Sequence, residues 1–140
     1  IKHLARALFS DEPAPDAFEL FLSHRQATGR AHVGHIYRKF ENDYAMFLDT
    51  EARFKLSDLR ELVRRSRVVV AVVSDGYLDS YWCQQEVLAA LEFHKPVLVV
   101  VDSKYQLPDR SAMQSDAARR VFDRLQVEVA ARREIYFNLE

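Results

Sequence analysis

The stretch SRVVVAVVSDGYLDSYWCQQEV, residues 66–87, decides the fold that the sequence predicts. Its first part, VVVAVV at residues 68–73, is a continuous β-branched run, as expected of a strand buried on both faces of a sheet. The second part, from Ser80, has the character of a helix that Ser80 caps. A buried strand that leads at once into a helix is the beginning of a βαβ unit, so this stretch predicts a parallel sheet.

The rest of the chain repeats this alternation of strands and helices. Other strands are predicted at residues 18–22, 45–48 and 96–101, with a fifth, edge strand at residues 134–139. Apolar residues at helical spacing predict helices around three groups: Val33, Ile36, Tyr37, Phe40 and Tyr44; Leu56, Leu59, Leu62 and Val63, with Ser57 as the cap; and Ala118, Phe122, Leu125 and Val129. Polar residues 23–32 are predicted as a loop. The pattern predicts a doubly wound α/β domain with helices on both faces of the sheet.

Composition limits the classes of partner. The 140 residues suit one domain, with residues 1–15 predicted as a helix and linker from a longer protein and residues 16–140 as the domain. The formal net charge of −1 argues against nucleic acid, whose binding needs a basic excess. One cysteine, Cys83, excludes a disulfide within the chain and fits the cytoplasm. No apolar run approaches the roughly 20 residues of a membrane span, so no membrane partner is expected.

The carboxyl ends of the predicted strands form one rim, and ligands of open α/β sheets bind outside such a rim. The polar residues expected there are Ser23, His24, Arg25, Asp49, Thr50, Ser74, Asp75, Asp102 and Ser103. The helix after the third strand begins at the same rim, so Glu86 in its second turn is expected to line the cleft. Trp82 precedes Glu86 by four residues and can touch it. Spacing alone leaves two readings open, a working carboxylate or a solvated helix glutamate beside a packed tryptophan.

Four familiar kinds of site are absent from the sequence. The chain has three glycines, and none forms the glycine-rich turn of a dinucleotide-binding fold or a P-loop. The first strand ends in Leu22, Ser23 and His24, without the clustered aspartates of a phospho-receiver domain. No cysteine or carboxylate cluster accompanies His32 and His35, so no metal site is predicted.

Four segments taken in order resemble the TIR (Toll/interleukin-1 receptor) domain. They are FELFLSHRQ at residues 18–26, MFLDT at 46–50, the stretch at 66–87 and KPVLVVV at 95–101. The most specific part is the central block, with Ser66 before the strand, Ser74 and Tyr77 after it, and then Ser80-x-Trp82-Cys83-x-x-Glu86. The resemblance is closer to plant, protist and bacterial members than to animal receptors.

The resemblance implies a flavodoxin-like sheet of five parallel strands and an activity. Many TIR domains are NAD+ nucleosidases whose catalytic glutamate lies on the helix after the third strand, a position that Glu86 matches. NAD+ is then the substrate, with no other cofactor and no metal, and the products are nicotinamide and ADP-ribose or cyclic ADP-ribose. By position, the resemblance places Ser23, His24, Arg25 and Trp82 in the substrate site. It also implies a role in innate immune or cell-death signalling.

The alternative that the resemblance leaves open is a non-enzymatic scaffold that signals through homotypic TIR–TIR contacts. In either case other TIR domains are the expected protein partners, and the active enzyme is expected to be a homo-oligomer. One segment departs from the TIR pattern: DTEARFK, residues 49–55, has no glycine or proline in the loop after the second strand. That loop usually gates the pocket and mediates self-association, so the usual mode of assembly is in doubt.

Overall fold

The structure is a computed structural model that describes residues 18–48, 55–101 and 105–131, with the backbone alone for residues 128–131. Strands and helices alternate along these residues. In chain order they are β1 Phe18–His24, α1 Gln26–Phe40, β2 Met46–Leu48, α2 Leu56–Arg64, β3 Ser66–Val73, α3 Tyr81–Glu92, β4 Val97–Val101 and α4 Asp116–Ala131. Short 3-10 turns at Tyr77–Asp79 and Arg110–Ala112 precede α3 and α4.

The four strands pair in parallel in the order β2-β1-β3-β4. β3 lies inside the sheet, which explains its unbroken apolar run. Successive side chains of a strand point to opposite faces; accordingly Val69, Ala71 and Val73 belong to one core cluster. Val68, Val70 and Val72 belong to the other cluster.

Helices cover both faces of the sheet. Helix α1 packs Val33 and Ile36 into the cluster on one face. The other three helices pack on the opposite face, and their buried residues include Leu59 of α2, Val87 of α3 and Leu125 of α4. The prediction of a parallel α/β sheet with helices on both faces is confirmed. The described residues form four strands rather than five, because the predicted strand at residues 134–139 lies outside them.

Three local predictions are wrong, and the first is the position of Tyr44, which lies beyond the end of α1 at Phe40 rather than on that helix. Residues 23–32 are not a loop, since β1 continues to His24 through its pairing with β3 and α1 begins at Gln26. The first turns of α1 were not predicted because they lie at the polar rim and carry no stripe of apolar residues at helical spacing. Helix α2 begins at Leu56 rather than after Ser57, and the Asp58 carboxylate accepts the backbone N–H of Lys55 at 3.3 Å.

Several predictions fall on residues that the structure does not describe. These are the linker at residues 1–15, the loop at residues 49–54, and the rim residues Asp102 and Ser103. Within the described ranges, every helix is too short or too polar to cross a membrane.

Candidate functional site

The site begins with the topology at the centre of the sheet. β1 and β3 are neighbours, yet α1 leaves β1 toward one face and α3 leaves β3 toward the other. The two chain segments separate beyond the carboxyl ends of these strands and leave a crevice between them. This is the switch point at which open α/β sheets bind ligands.

A cavity of about 240 Å³ occupies this crevice. One wall comes from the end of β1 and the first residues of α1, and the other from the beginning of α3. The described residues that line it are Leu22, His24, Arg25, Gln26, Ala27, Ser80, Trp82 and Glu86.

Glu86 is held in the cavity wall by the way α3 begins. The Ser80 hydroxyl accepts the backbone N–H of Cys83 at 3.4 Å, so the prediction that Ser80 caps this helix is confirmed. Glu86 follows in the second turn, four residues after Trp82, and only 5% of it is exposed. A carboxylate this buried is unusual, because burial of a charge is costly without compensating groups. This observation goes against the reading of Glu86 as a solvated helix glutamate.

The side chains behind Glu86 stay protonated. Burial, together with the charge of Glu86, raises the pKa of the Cys83 thiol to about 12. Burial also raises the pKa of Tyr77 well above its usual value, with smaller contributions from Cys83 and Glu86. The thiol is therefore a buried, unreactive group, and Glu86 is the acidic group of this wall.

Ser23 lies behind the cavity and not in its lining. Its hydroxyl makes a 2.6 Å hydrogen bond with the Tyr77 hydroxyl, and both residues are fully buried. This bond joins the end of β1 to the 3-10 turn before α3. It therefore links the two walls of the cavity from behind.

The outer rim of the cavity is joined in a second place. The Thr28 hydroxyl donates to the Asp75 carbonyl at 2.6 Å and shares a 2.8 Å hydrogen bond with the Ser74 hydroxyl. Arg25 donates from Nη1 to the same Asp75 carbonyl at 3.2 Å. Its guanidinium group lies over Gly76, where an added Cβ would come within 2.8 Å of Nη1. Gly76 also has a φ of +79°, which glycine adopts readily.

His24 lines the cavity as a neutral imidazole. Burial lowers its pKa, the charge of Arg30 acts in the same direction, and a backbone hydrogen bond to Leu22 opposes them. At neutral pH the wall around Glu86 therefore carries its positive charge on Arg25 and not on His24. Among the described residues, no group of three or more histidine, cysteine, aspartate and glutamate side chains could hold a metal ion.

A model of the TIR domain family matches residues 20–134, which is most of the chain. The chain belongs to the TIR domain family. Its TIR fold resembles the TIR domains of the activated Roq1 resistosome, which directly recognizes the pathogen effector XopQ. The match has 26% sequence identity and a TM-score of 0.56, and covers 85% of this chain and 77% of that one. It also resembles the TIR domain of the Toll-related receptor TRR-2 from Hydra magnipapillata, at 12% identity and a TM-score of 0.55, over 79% and 96% of the two chains.

Of the site residues predicted for this TIR domain, the structure brings four together. His24, Arg25, Trp82 and Glu86 line one cavity, whereas Ser23 does not. Their roles in catalysis and substrate binding stay predictions. Sequence reasoning missed the hydrogen bonds from Thr28 across the rim, which no local pattern signals. The Asp75-Gly76 pair is a turn signal that could have shown where the chain bends back over the site.

Proposed function

We propose that this TIR domain cleaves NAD+ at the bond between nicotinamide and ribose. The observation that supports the proposal is the position of Glu86, a carboxylate only 5% exposed that lines a cavity at the switch point beside Trp82. Membership of the TIR family, which by the resemblance above includes many NAD+ nucleosidases, supports the same assignment.

A single carboxylate is enough for this reaction. Glycosidases generally need two acids, because one must protonate the leaving oxygen. In NAD+ the nicotinamide is already cationic, so the electron pair of the broken bond neutralises it as it departs. The positive charge then develops on the ribosyl carbon, where Glu86 stabilises it. Water captures this carbon and loses a proton to give ADP-ribose, or the adenine of the same molecule attacks to give a cyclic product.

The other lining residues have proposed roles in binding. Neutral His24 adds no positive charge against the cationic nicotinamide. Arg25 at the rim is the group to pair with a substrate phosphate. Trp82 forms the flat wall beside Glu86. We propose that Ser23 contributes through its bond to Tyr77, by holding the cavity walls together.

Self-association is part of the proposal. Ligand pockets usually enclose about 300–1,000 Å³, and the cavity of about 240 Å³ is smaller than this. We propose that contacts with further copies complete the site, in the cytoplasm and within an immune or cell-death signal. The specific rate of nicotinamide release should then rise with protein concentration. A flat profile would count against assembly.

The assignment is tested by chromatography of NAD+ incubated with the wild-type domain, Glu86→Ala and Glu92→Ala. Glu92 is a matched control, since it lies on the same helix but is exposed and paired with Arg60. The proposal predicts nicotinamide release by the wild type and Glu92→Ala and its loss in Glu86→Ala. If the assembled wild type releases no nicotinamide, the domain is a scaffold that signals through TIR–TIR contacts.

A further inference from the structure

One exposed aromatic side chain lies next to the wall of the cavity. Among the described residues, Tyr81 and Val127 are the two large apolar side chains that are strongly exposed, and Tyr81 is 52% exposed. Tyr81 opens α3 between Ser80 and Trp82, both of which line the cavity. Its ring meets the Trp82 ring edge-on, with centroids 5.3 Å apart and planes at 75°. Aromatic surface therefore continues from Trp82, which lines the cavity, to the solvent-exposed ring of Tyr81.

The size of the cavity suggests which part of the substrate this aromatic surface could bind. If nicotinamide and its ribose fill the cavity of about 240 Å³, the adenosine half of NAD+ lies outside. A purine base presents two flat faces that stack on aromatic side chains. Trp82 restrains the Tyr81 ring through the edge-on contact, which lowers the entropic cost of using that ring as a platform.

We propose that Tyr81 is the stacking platform for the adenine base of the substrate. The proposal rests on the proposed function for the identity of the substrate. Binding of the adenine base requires no catalysis, so the adenine subsite and the proposed NAD+ cleavage can be refuted separately. The alternative is that the exposed Tyr81 ring contacts a second copy of the domain. The experiment therefore has to distinguish binding of adenine from contact between copies.

The kinetic test compares NAD+ with nicotinamide mononucleotide, which lacks the adenosine half. Stacking on one aromatic ring changes affinity by about tenfold. The ratio of kcat/KM for NAD+ to kcat/KM for the mononucleotide should fall about tenfold in Tyr81→Ala and recover in Tyr81→Phe. An unchanged ratio overturns the proposal, because Tyr81 then affects both substrates equally or not at all. Tyr81→Ala that also sediments as a smaller species points to a contact between copies and likewise overturns it.

The binding test stands apart from activity. Titration of wild type and Tyr81→Ala with ADP-ribose, followed by calorimetry, should show about tenfold weaker binding to the variant. Equal affinities, or no binding to the wild type, overturn the subsite. Weaker binding to Tyr81→Ala in a domain that releases no nicotinamide retains the subsite and rejects the proposed function.

Discussion

Replacing Tyr77 with phenylalanine removes one hydroxyl group from a fully buried contact and leaves the ring in place. The lost group makes the 2.6 Å hydrogen bond to Ser23. A buried polar group that loses its partner costs about 1–3 kcal/mol. We expect Tyr77→Phe to lower the free energy of unfolding by about 1–2 kcal/mol because the Ser23 hydroxyl remains. Ser23→Ala should cost a similar amount because it leaves the Tyr77 hydroxyl.

The matched control is Tyr81→Phe, which removes the same group from an exposed ring. It should change the free energy of unfolding by less than about 0.5 kcal/mol. In urea denaturation of the two single variants and the double variant, the costs of Ser23→Ala and Tyr77→Phe should fail to add by about 1 kcal/mol. Additive costs, or a Tyr77→Phe variant as stable as Tyr81→Phe, would refute the view that this bond links the cavity walls.

Three further predictions concern the rim, the thiol and the imidazole. Gly76→Ala forces a φ of +79° on alanine and displaces Arg25, so it should lower the free energy of unfolding by about 1–2 kcal/mol. The control, Gly34→Ala within α1, should be neutral or stabilising. Equal effects of the two substitutions in thermal denaturation would contradict the strain at Gly76. Burial raises the pKa of the Cys83 thiol to about 12, so the thiol should resist iodoacetamide at pH 8 until the chain unfolds, as mass spectrometry would show. Rapid labelling of the folded domain would disprove its burial. Burial lowers the pKa of His24, so the unfolded chain takes up the proton first, and the free energy of unfolding falls as the pH drops below about 6.5. The His24→Asn variant should reduce that fall by up to about 1.4 kcal/mol per pH unit. Identical pH profiles for the two proteins would reject the lowered pKa of His24.

The sheet was predictable because a strand that is buried on both faces appears in the sequence as a continuous apolar run. The run at residues 68–73 is apolar throughout because β3 lies between β1 and β4 with helices on both faces. The first turns of α1 were missed because polar residues occupy them at the rim, where the chain needs hydrogen bonds rather than apolar packing. Thr28, for example, reaches the Asp75 carbonyl, 47 residues away in sequence.

The candidate site was predictable in its position and less so in its detail. The rule for parallel sheets places the ends of β1 and β3 together, and helical spacing places Glu86 one turn beyond Trp82. Spacing places Ser23 and His24 on opposite faces of β1, but it could not show that Ser23 bonds Tyr77, which is 54 residues away in sequence. It also could not show how deeply Glu86 is buried, since burial depends on how the whole tertiary structure packs around the side chain.

The central claim is that the Glu86 carboxylate acts on the ribosyl centre of NAD+. The most direct test is the rate of nicotinamide release by Glu86→Gln relative to wild type, at the same high protein concentration and with matched Tm values. Glutamine keeps the shape of the side chain and removes its charge. We predict a rate at least about a hundredfold lower, the usual cost of losing one electrostatic stabiliser of a transition state. Equal rates for the two proteins would contradict the account.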